Sequence, residues 1–434
     1  MADALTVSTP SLPRLAAASL VGTAIEYYDF FVYSTAAALV LGPLFFPTFS
    51  PLAGTLAAFG TFGVGFVARP LGSVLFGHIG DRRGRRPVLV ASLLLTGAST
   101  VAVGCVPSYR SIGLVAPLLL LVLRFLQGLG LGGEWGGAVL LAGEHAPAGR
   151  RVLWSSIPQM GSAVGFLLAN GVMLALSAAL SDAEFARWGW RVPFWVAGVL
   201  AVAGLWLRSS LAESPRFLEI DDHARVPLVE VVRRHGRLVL LAAGALSVGY
   251  AVFYAVTTWS LAYATEQLGV GRGVMLGCVM AAVVVNGACT PVAAVLGDRY
   301  GRRIMCLTGC AACAVWMLPM VALLATGRPL PMFLGILGAL LAFVTIVAVI
   351  AAYLPELFEA RVRCTGAAVS YNLGGVLGGA LTPIVATALA AHGGRVPWGV
   401  GLYLTGVALF SLGCFALLPE TRPAPVPAAE PVMG

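Results

Sequence analysis

Glu26, Asp29, Glu134 and Arg124 are the ionisable residues that lie well inside long apolar runs of this sequence. Charge is expensive in such surroundings and by default marks ion or substrate handling. Gly22, Glu26, Asp29 and Tyr33 follow the spacing i, i+4, i+7, i+11, so a helix puts both acids on one stripe. Gln127 and Glu134 continue the face of Arg124, with Glu134 about 15 Å further along a helix that rises about 1.5 Å per residue. Two carboxylates beside one guanidinium can exchange a proton, because like charges within about 6 Å resist joint ionisation while the guanidinium stabilises one of them. An anionic cargo that takes Arg124 bidentately frees the acid to bind a proton, which links the two loads. All five histidines, His78, His145, His223, His235 and His392, fall in connectors, so the proton must travel on carboxylates. An inert ion pair between two helices is the competing reading, and a buried pair is weak evidence for stability alone.

The elements that carry these residues are membrane spans. Hydrophobic residues make up 59% of the chain and charged residues 11%, against roughly 25% charged in a soluble domain; mean hydropathy is +0.91. Runs of about 20 apolar residues cross a bilayer as helices. Twelve are readable, near 15–41, 51–75, 88–106, 112–141, 152–178, 191–208, 238–263, 273–296, 304–325, 330–353, 364–390 and 396–418. The predicted fold is all-α, with twelve transmembrane helices in two pseudo-symmetric six-helix bundles, residues 1–208 and 238–434, joined by a cytoplasmic connector, 209–237. Residues 1–13 lack the basic region and cleavage site of a signal peptide, so span 1 is expected to be retained. The Pro- and Ala-rich tail after Arg422 reads as disordered.

All 27 basic residues are arginine. Placing both termini and the even-numbered connectors on one side leaves only Arg110, Arg187, Arg191, Arg272, Arg328 and Arg395 on the other, with Arg124 inside span 4 and Arg69 at the end of span 2 counted among the majority. That bias sets both termini in the cytoplasm. The net charge of +8 is therefore a topology signal, and no basic face of a soluble domain is left for nucleic acid.

Gly80-Asp-Arg-Arg-Gly-Arg-Arg86 and Gly297-Asp-Arg-Tyr-Gly-Arg-Arg303 repeat one connector half of the 434-residue chain apart. Glu144 with Arg151 answers to Glu356 with Arg363, and Glu213 answers to Glu420, which argues for an internal duplication. Gly128, Gly130, Gly132, Gly133, Gly136 and Gly137 in span 4, and Gly374, Gly375, Gly378 and Gly379 in span 11, allow close helix contact, whether static or sliding. Tyr250, Tyr254 and Thr257 on span 7, Asn286 on span 8, and Tyr371 and Asn372 on span 11 offer neutral hydrogen-bonding groups opposite Arg124, although such aromatic stripes also serve packing. Cys306, Cys310 and Cys313 lack accompanying His or carboxylate ligands, so they read as packing residues and no metal is expected.

With twelve spans, a six-plus-six duplication and the connector Gly77 through Arg86, the chain resembles the major facilitator superfamily over its whole length. Within it, Glu26-Tyr-Tyr-Asp-Phe-Phe-Val-Tyr33, Arg124-Phe-Leu-Gln-Gly-Leu-Gly-Leu-Gly-Gly-Glu-Trp-Gly-Gly137 and Glu144-His-Ala-Pro147 look like the metabolite:proton symporter family, which includes carriers of α-ketoglutarate, shikimate, citrate and proline/betaine. The second connector departs from the pattern, with Tyr300 where the first has Arg83.

The resemblance implies a bacterial inner-membrane carrier that brings in a small carboxylate or zwitterionic metabolite with protons by alternating access. Its energy source is the proton gradient and no cofactor is implied; the partners are metabolite, proton and lipid, and a functional monomer is expected. Similar sugar:proton symporters couple through an Asp on the first helix and an Arg on the fourth, which here are Asp29 and Arg124. Glu26 and Glu134 complete the proton-coupling candidates, and Arg124, Gln127, Tyr33, Tyr250, Tyr254, Asn286, Tyr371 and Asn372 are the substrate candidates. Asp81, Arg85, Arg86, Glu144, Arg151, Glu213, Asp298, Arg302, Arg303, Glu356, Arg363 and Glu420 form a charge network that locks the cytoplasmic gate. A proton-driven exporter of an amphiphilic or anionic compound is the runner-up. A transporter-like sensor would need an appended domain, and no nucleophile-base pair suggests an enzyme.

Overall fold

The computed structural model describes residues 12–83, 85–132, 146–147, 149–209, 227–359, 362–392, 394 and 396–422. Every regular element among them is helical, as expected of backbone that must satisfy its own hydrogen bonds in lipid. In chain order the long helices are α1 (Leu12–Ala36), α2 (Pro51–Arg83), α3 (Arg85–Cys105), α4 (Val115–Gly132), α5 (Arg151–Ala179), α6 (Val192–Ser209), α7 (Pro227–Tyr254), α8 (Arg272–Tyr300), α9 (Arg302–Leu324), α10 (Pro329–Glu356), α11 (Arg363–Gly374) and α12 (Trp398–Leu417). Three of them continue through π turns: α1 through Ala37–Leu41, α7 through Ala255–Trp259 into Ser260–Glu266, and α11 through Gly375–Ala380 into Leu381–His392.

Eleven of these spans are long and apolar enough to cross a bilayer; the remaining expected one is α3, whose apolar part, Val90–Cys105, is shorter. Two expectations need correction. The arginine-rich connectors are largely helix rather than loop, since α2 runs to Arg83 and α3 begins at Arg85. In the second half the break between α8 and α9 is Gly301 alone, at φ +107°, where a Cβ would also lie 2.6 Å from Glu420 Oε2. Residues 227–237, assigned to the connector, are the first turns of α7.

Within the first half α1 packs on α5, and α4 packs on α2 and α3; within the second, α9 packs on α10 and α12, and α7 on α11 and α12. Contacts between halves run chiefly from α5 to α8 and α10, and from α2 to the π turn and end of the span begun by α11. The α2–α4 seam is closed by small residues: a Cβ on Gly128 would lie 2.2 Å from the Gly65 carbonyl oxygen, and one on Gly132 2.1 Å from that of Arg69. Gly133, Gly136 and Gly137 lie outside the described residues. Cys306, Cys310 and Cys313 are buried packing side chains of α9.

Candidate functional site

Asp29 on α1 and Arg124 on α4 are both fully buried, at 1% and 0% exposure. They do not form an ion pair among the described residues; Gln127, one turn beyond Arg124, bridges them. Its Oε1 accepts from Arg124 Nη1, and its Nε2 donates to the Asp29 carbonyl oxygen at 3.3 Å and to Thr100 Oγ1 at 2.8 Å. The Arg124 guanidinium is boxed by aromatic faces, 4.4 Å from the centroids of Phe30 and Tyr33 and 5.0 Å from that of Phe62. Asp29 Oδ1, Arg124 Nε and Arg124 Nη2 are buried without a hydrogen-bond partner. Buried polar atoms are normally satisfied, so this is a site with unused hydrogen-bonding capacity rather than a closed structural pair.

A central cavity opens between the halves, its empty space of about 850 Å³ continuous with the outside. Four expected residues line it, Tyr250, Tyr254, Asn286 and Tyr371, together with Tyr27, Gln159 and Thr290, which the sequence reading did not single out. Phe31, Phe253 and Phe343 supply apolar wall. Asn286 is fixed by donating Nδ2 to the Leu340 carbonyl at 2.8 Å. Arg124, Gln127 and Tyr33 do not line this cavity. An aromatic layer stands between, with Tyr254 packed 5.9 Å from Phe30 and 5.4 Å from Phe62, centroid to centroid. The Tyr33 hydroxyl is engaged with Thr61 Oγ1 at 2.7 Å, and Thr257 donates to the Phe253 carbonyl.

A second, much smaller cavity, with room for about one water molecule, is lined by Glu26, Tyr27, Phe30, Arg69, Leu131, Tyr371 and Asn372. The two acids of the α1 stripe thus part company: Glu26 faces this cavity, and Asp29 is sealed beside Thr100 and Gln127. Arg69, counted from sequence as a topology charge, is buried at 6% exposure. Its sequence signal was its place inside the apolar run 51–75, followed by Pro70. The Tyr27 and Tyr371 hydroxyls, which line both cavities, are 2.7 Å apart and join α1 to α11.

At the arginine-rich end, the second-half gate residues converge. Arg302 Nε lies 3.3 Å from Glu356 Oε2, and its Nη2 lies 3.8 Å from Asp298. Glu420 accepts from the backbone N–H groups of Arg302 and Arg303 at 2.9 and 3.0 Å, while Arg303 Nε donates to the Phe415 carbonyl at 3.2 Å. Asp298 accepts from the backbone N–H groups of Val152 and Leu153 at 3.0 and 3.1 Å, capping the first turn of α5, where the helix dipole favours an anion. Arg363 donates locally to the Phe358 carbonyl, and Arg151 is exposed. Glu134, Glu144 and Glu213 lie outside the described residues, as do the side chains of Asp81, Arg85 and Arg86. At the opposite end, Thr55 Oγ1 donates to Glu266 at 3.0 Å and Arg272 pairs with Asp182, again across the halves.

Two overlapping matches to the Major Facilitator Superfamily cover residues 19–370 and 279–432. The chain belongs to the major facilitator superfamily. Membership makes it a multi-pass membrane protein and a secondary transporter of small metabolites. It is 43% identical over 417 residues to the inner membrane metabolite transport protein YhjE of Escherichia coli (strain K12), covering 94% of each chain. It is 37% identical to the shikimate transporter of the same organism, covering 97% of this chain and 98% of that one, and 31% identical to its proline/betaine transporter, covering 99% and 88%. Among solved structures, a D-xylose-proton symporter superposes with a TM-score of 0.75 at 21% identity, over 94% of this chain and 98% of that one. The partially occluded inward open conformation of the xylose transporter XylE from E. coli gives the same score at 19% identity, over 96% and 100%. These last two establish the superfamily fold alone.

Proposed function

We propose that the protein is a proton-coupled symporter of the metabolite:proton symporter type, taking a small carboxylate or zwitterionic metabolite into the cell. It works by rocking two six-helix bundles, 1–208 and 238–434, about the central cavity. The observation that carries the reading is Asp29, a carboxylate removed from water with Oδ1 unpartnered, whose backbone carbonyl is joined through Gln127 to a buried Arg124. A carboxylate so placed has few ways to equilibrate with protons other than movement of the helices around it, which is what coupling requires. Relatives whose names specify shikimate and proline/betaine support the substrate class. The deciding experiment is uptake of labelled α-ketoglutarate, shikimate, citrate, succinate, proline and betaine in cells lacking their own carriers, at two external pH values and with an uncoupler. Uncoupler-sensitive accumulation of one of them, greater at acid external pH, is expected; uptake of none overturns the reading. The apolar walls of the cavity favour the runner-up, an exporter of amphiphilic compounds, for which the same compounds would accumulate only in everted vesicles.

Asp298 on the first turn of α5 acts in this scheme as the latch of the cytoplasmic gate, a contact available only while α5 and α8 are together. In a variant without the eight native cysteines, Cys in place of the exposed Tyr300 should react with an impermeant maleimide only from the cytoplasmic face. Adding Asp298→Asn should raise cytoplasmic labelling of Gln159→Cys in the cavity about fivefold, the population shift for roughly 1 kcal/mol. Labelling of Tyr300→Cys from outside would reverse the topology, and unchanged labelling at 159 would remove the latch.

A further inference from the structure

Arg69 has no part in the coupling scheme above, yet it is a buried cation beside a cavity. Its guanidinium stacks 4.2 Å from the Phe30 ring centroid and 4.9 Å from that of Phe66, and no carboxylate among the described residues pairs with it. Its Nε is buried without a partner. A guanidinium taken from water without an acid is costly; ring faces recover part of that cost but leave Nε unmet. Arg124, by contrast, already donates to Gln127 and lines neither cavity.

We propose that Arg69 is the residue that binds the carboxylate of the transported metabolite, holding it in the small cavity while the rest of the molecule extends past Tyr27 and Tyr371 into the large one. The inference rests on the carboxylate-symport reading and names the contact that reading lacks. Tyr27 and Tyr371 are the shared walls of the two cavities and hydrogen-bond to each other across the halves. A molecule occupying both spaces must part that bond, so binding itself loosens one contact between the bundles. Asn372 on the same wall donates Nδ2 to Ser73 Oγ at 2.7 Å. The geometry also selects among carboxylates. Glu26 lines the small cavity, and Phe31, Phe253 and Phe343 line the large one, so a second or third negative charge has no counter-ion in either. By charge, the site suits one carboxylate, drawn in as the small cavity widens, and not a tricarboxylate.

The test is equilibrium binding to the purified full-length protein, with shikimate, proline and citrate as probes and shikimamide and prolinamide as mimics in which a neutral amide replaces the carboxylate. Wild type should bind one monocarboxylate at least about 30-fold more tightly than its amide, the range of a charge-assisted hydrogen-bond pair, and should not bind citrate. Arg69→Gln should erase that ratio, and Arg69→Lys should restore only part of it. Asn372→Asp, which places a competing carboxylate on the same wall, should weaken the acid and spare the amide; it decides the matter if Arg69→Gln does not fold. Equal affinity for acid and amide in wild type, or an unchanged ratio in the folded variants, overturns the proposal. The two ideas fail separately. Acid binding without pH-driven uptake removes the symport reading and leaves the subsite, whereas pH-driven uptake by Arg69→Gln with unaltered acid affinity does the reverse.

Discussion

Asp29→Asn should yield a carrier that exchanges substrate across the membrane and never concentrates it. Asparagine has nearly the shape of the protonated acid, so it fits the site between α1, Thr100 and Gln127 and lets the loaded protein complete its conformational change. It has no proton to release, so the cycle loses its dependence on the gradient. With one proton per substrate, an imposed step of one pH unit is worth about 1.4 kcal/mol and sustains about tenfold accumulation in the wild type; the variant should reach a ratio of about one. Counterflow of labelled against unlabelled substrate should persist, because exchange requires only that the loaded form reorient. Substrate binding to the variant should also lose most of its pH dependence. Glu26→Gln should be milder, since Glu26 lines the small cavity and Asp29 is the sealed acid, though neighbouring acids titrate as a pair. An Asn variant that still concentrates substrate in response to a pH step moves the proton to Glu26 or Glu134.

Much of the architecture was legible because it rests on run lengths: an apolar stretch of membrane thickness has few alternatives to a helix. The three π turns were not, since a single extra residue such as that within Ala37–Leu41 leaves hydrophobic content unchanged. The connector stood apart from spans 51–75 and 88–106 because arginine marks topology equally well on a loop or a helix end, and nothing local announces that α2 continues to Arg83. At the site, residue types and depth identified Asp29, Arg124 and four cavity side chains, but not their surroundings. Phe30 and Phe62 are far from Arg124 in sequence, and their closing around its guanidinium is a product of packing. Arg69 was misread for a related reason. An arginine a few residues from the end of an apolar run resembles one whose head reaches the interface, and only its stacking on Phe30 and Phe66 shows that it turns inward.

That aromatic box sets the expectation for Arg124→Lys. Lysine keeps the charge but offers a compact, strongly hydrated head where the site provides flat ring faces at 4.4 to 5.0 Å. The space is shaped to the plane of the guanidinium from the other side too, since a Cβ on Gly65 would lie 2.6 Å from Arg124 Nε. Losing desolvated cation–π contact worth about 2 kcal/mol, and with it the alignment of Gln127 beside Asp29, should collapse gradient-driven accumulation from about tenfold for a one-unit pH step toward a ratio of about one. Affinity for substrate should fall by less than about threefold, because Arg124 lines neither cavity and distant sites couple weakly. The pairing of a large loss in accumulation with a small loss in binding distinguishes a residue that serves the proton site from one that holds the cargo. If Arg124→Lys instead abolishes binding while Arg69→Gln leaves it intact, the roles assigned to the two arginines exchange, and the aromatic layer between Arg124 and the cavity must open during the transport cycle.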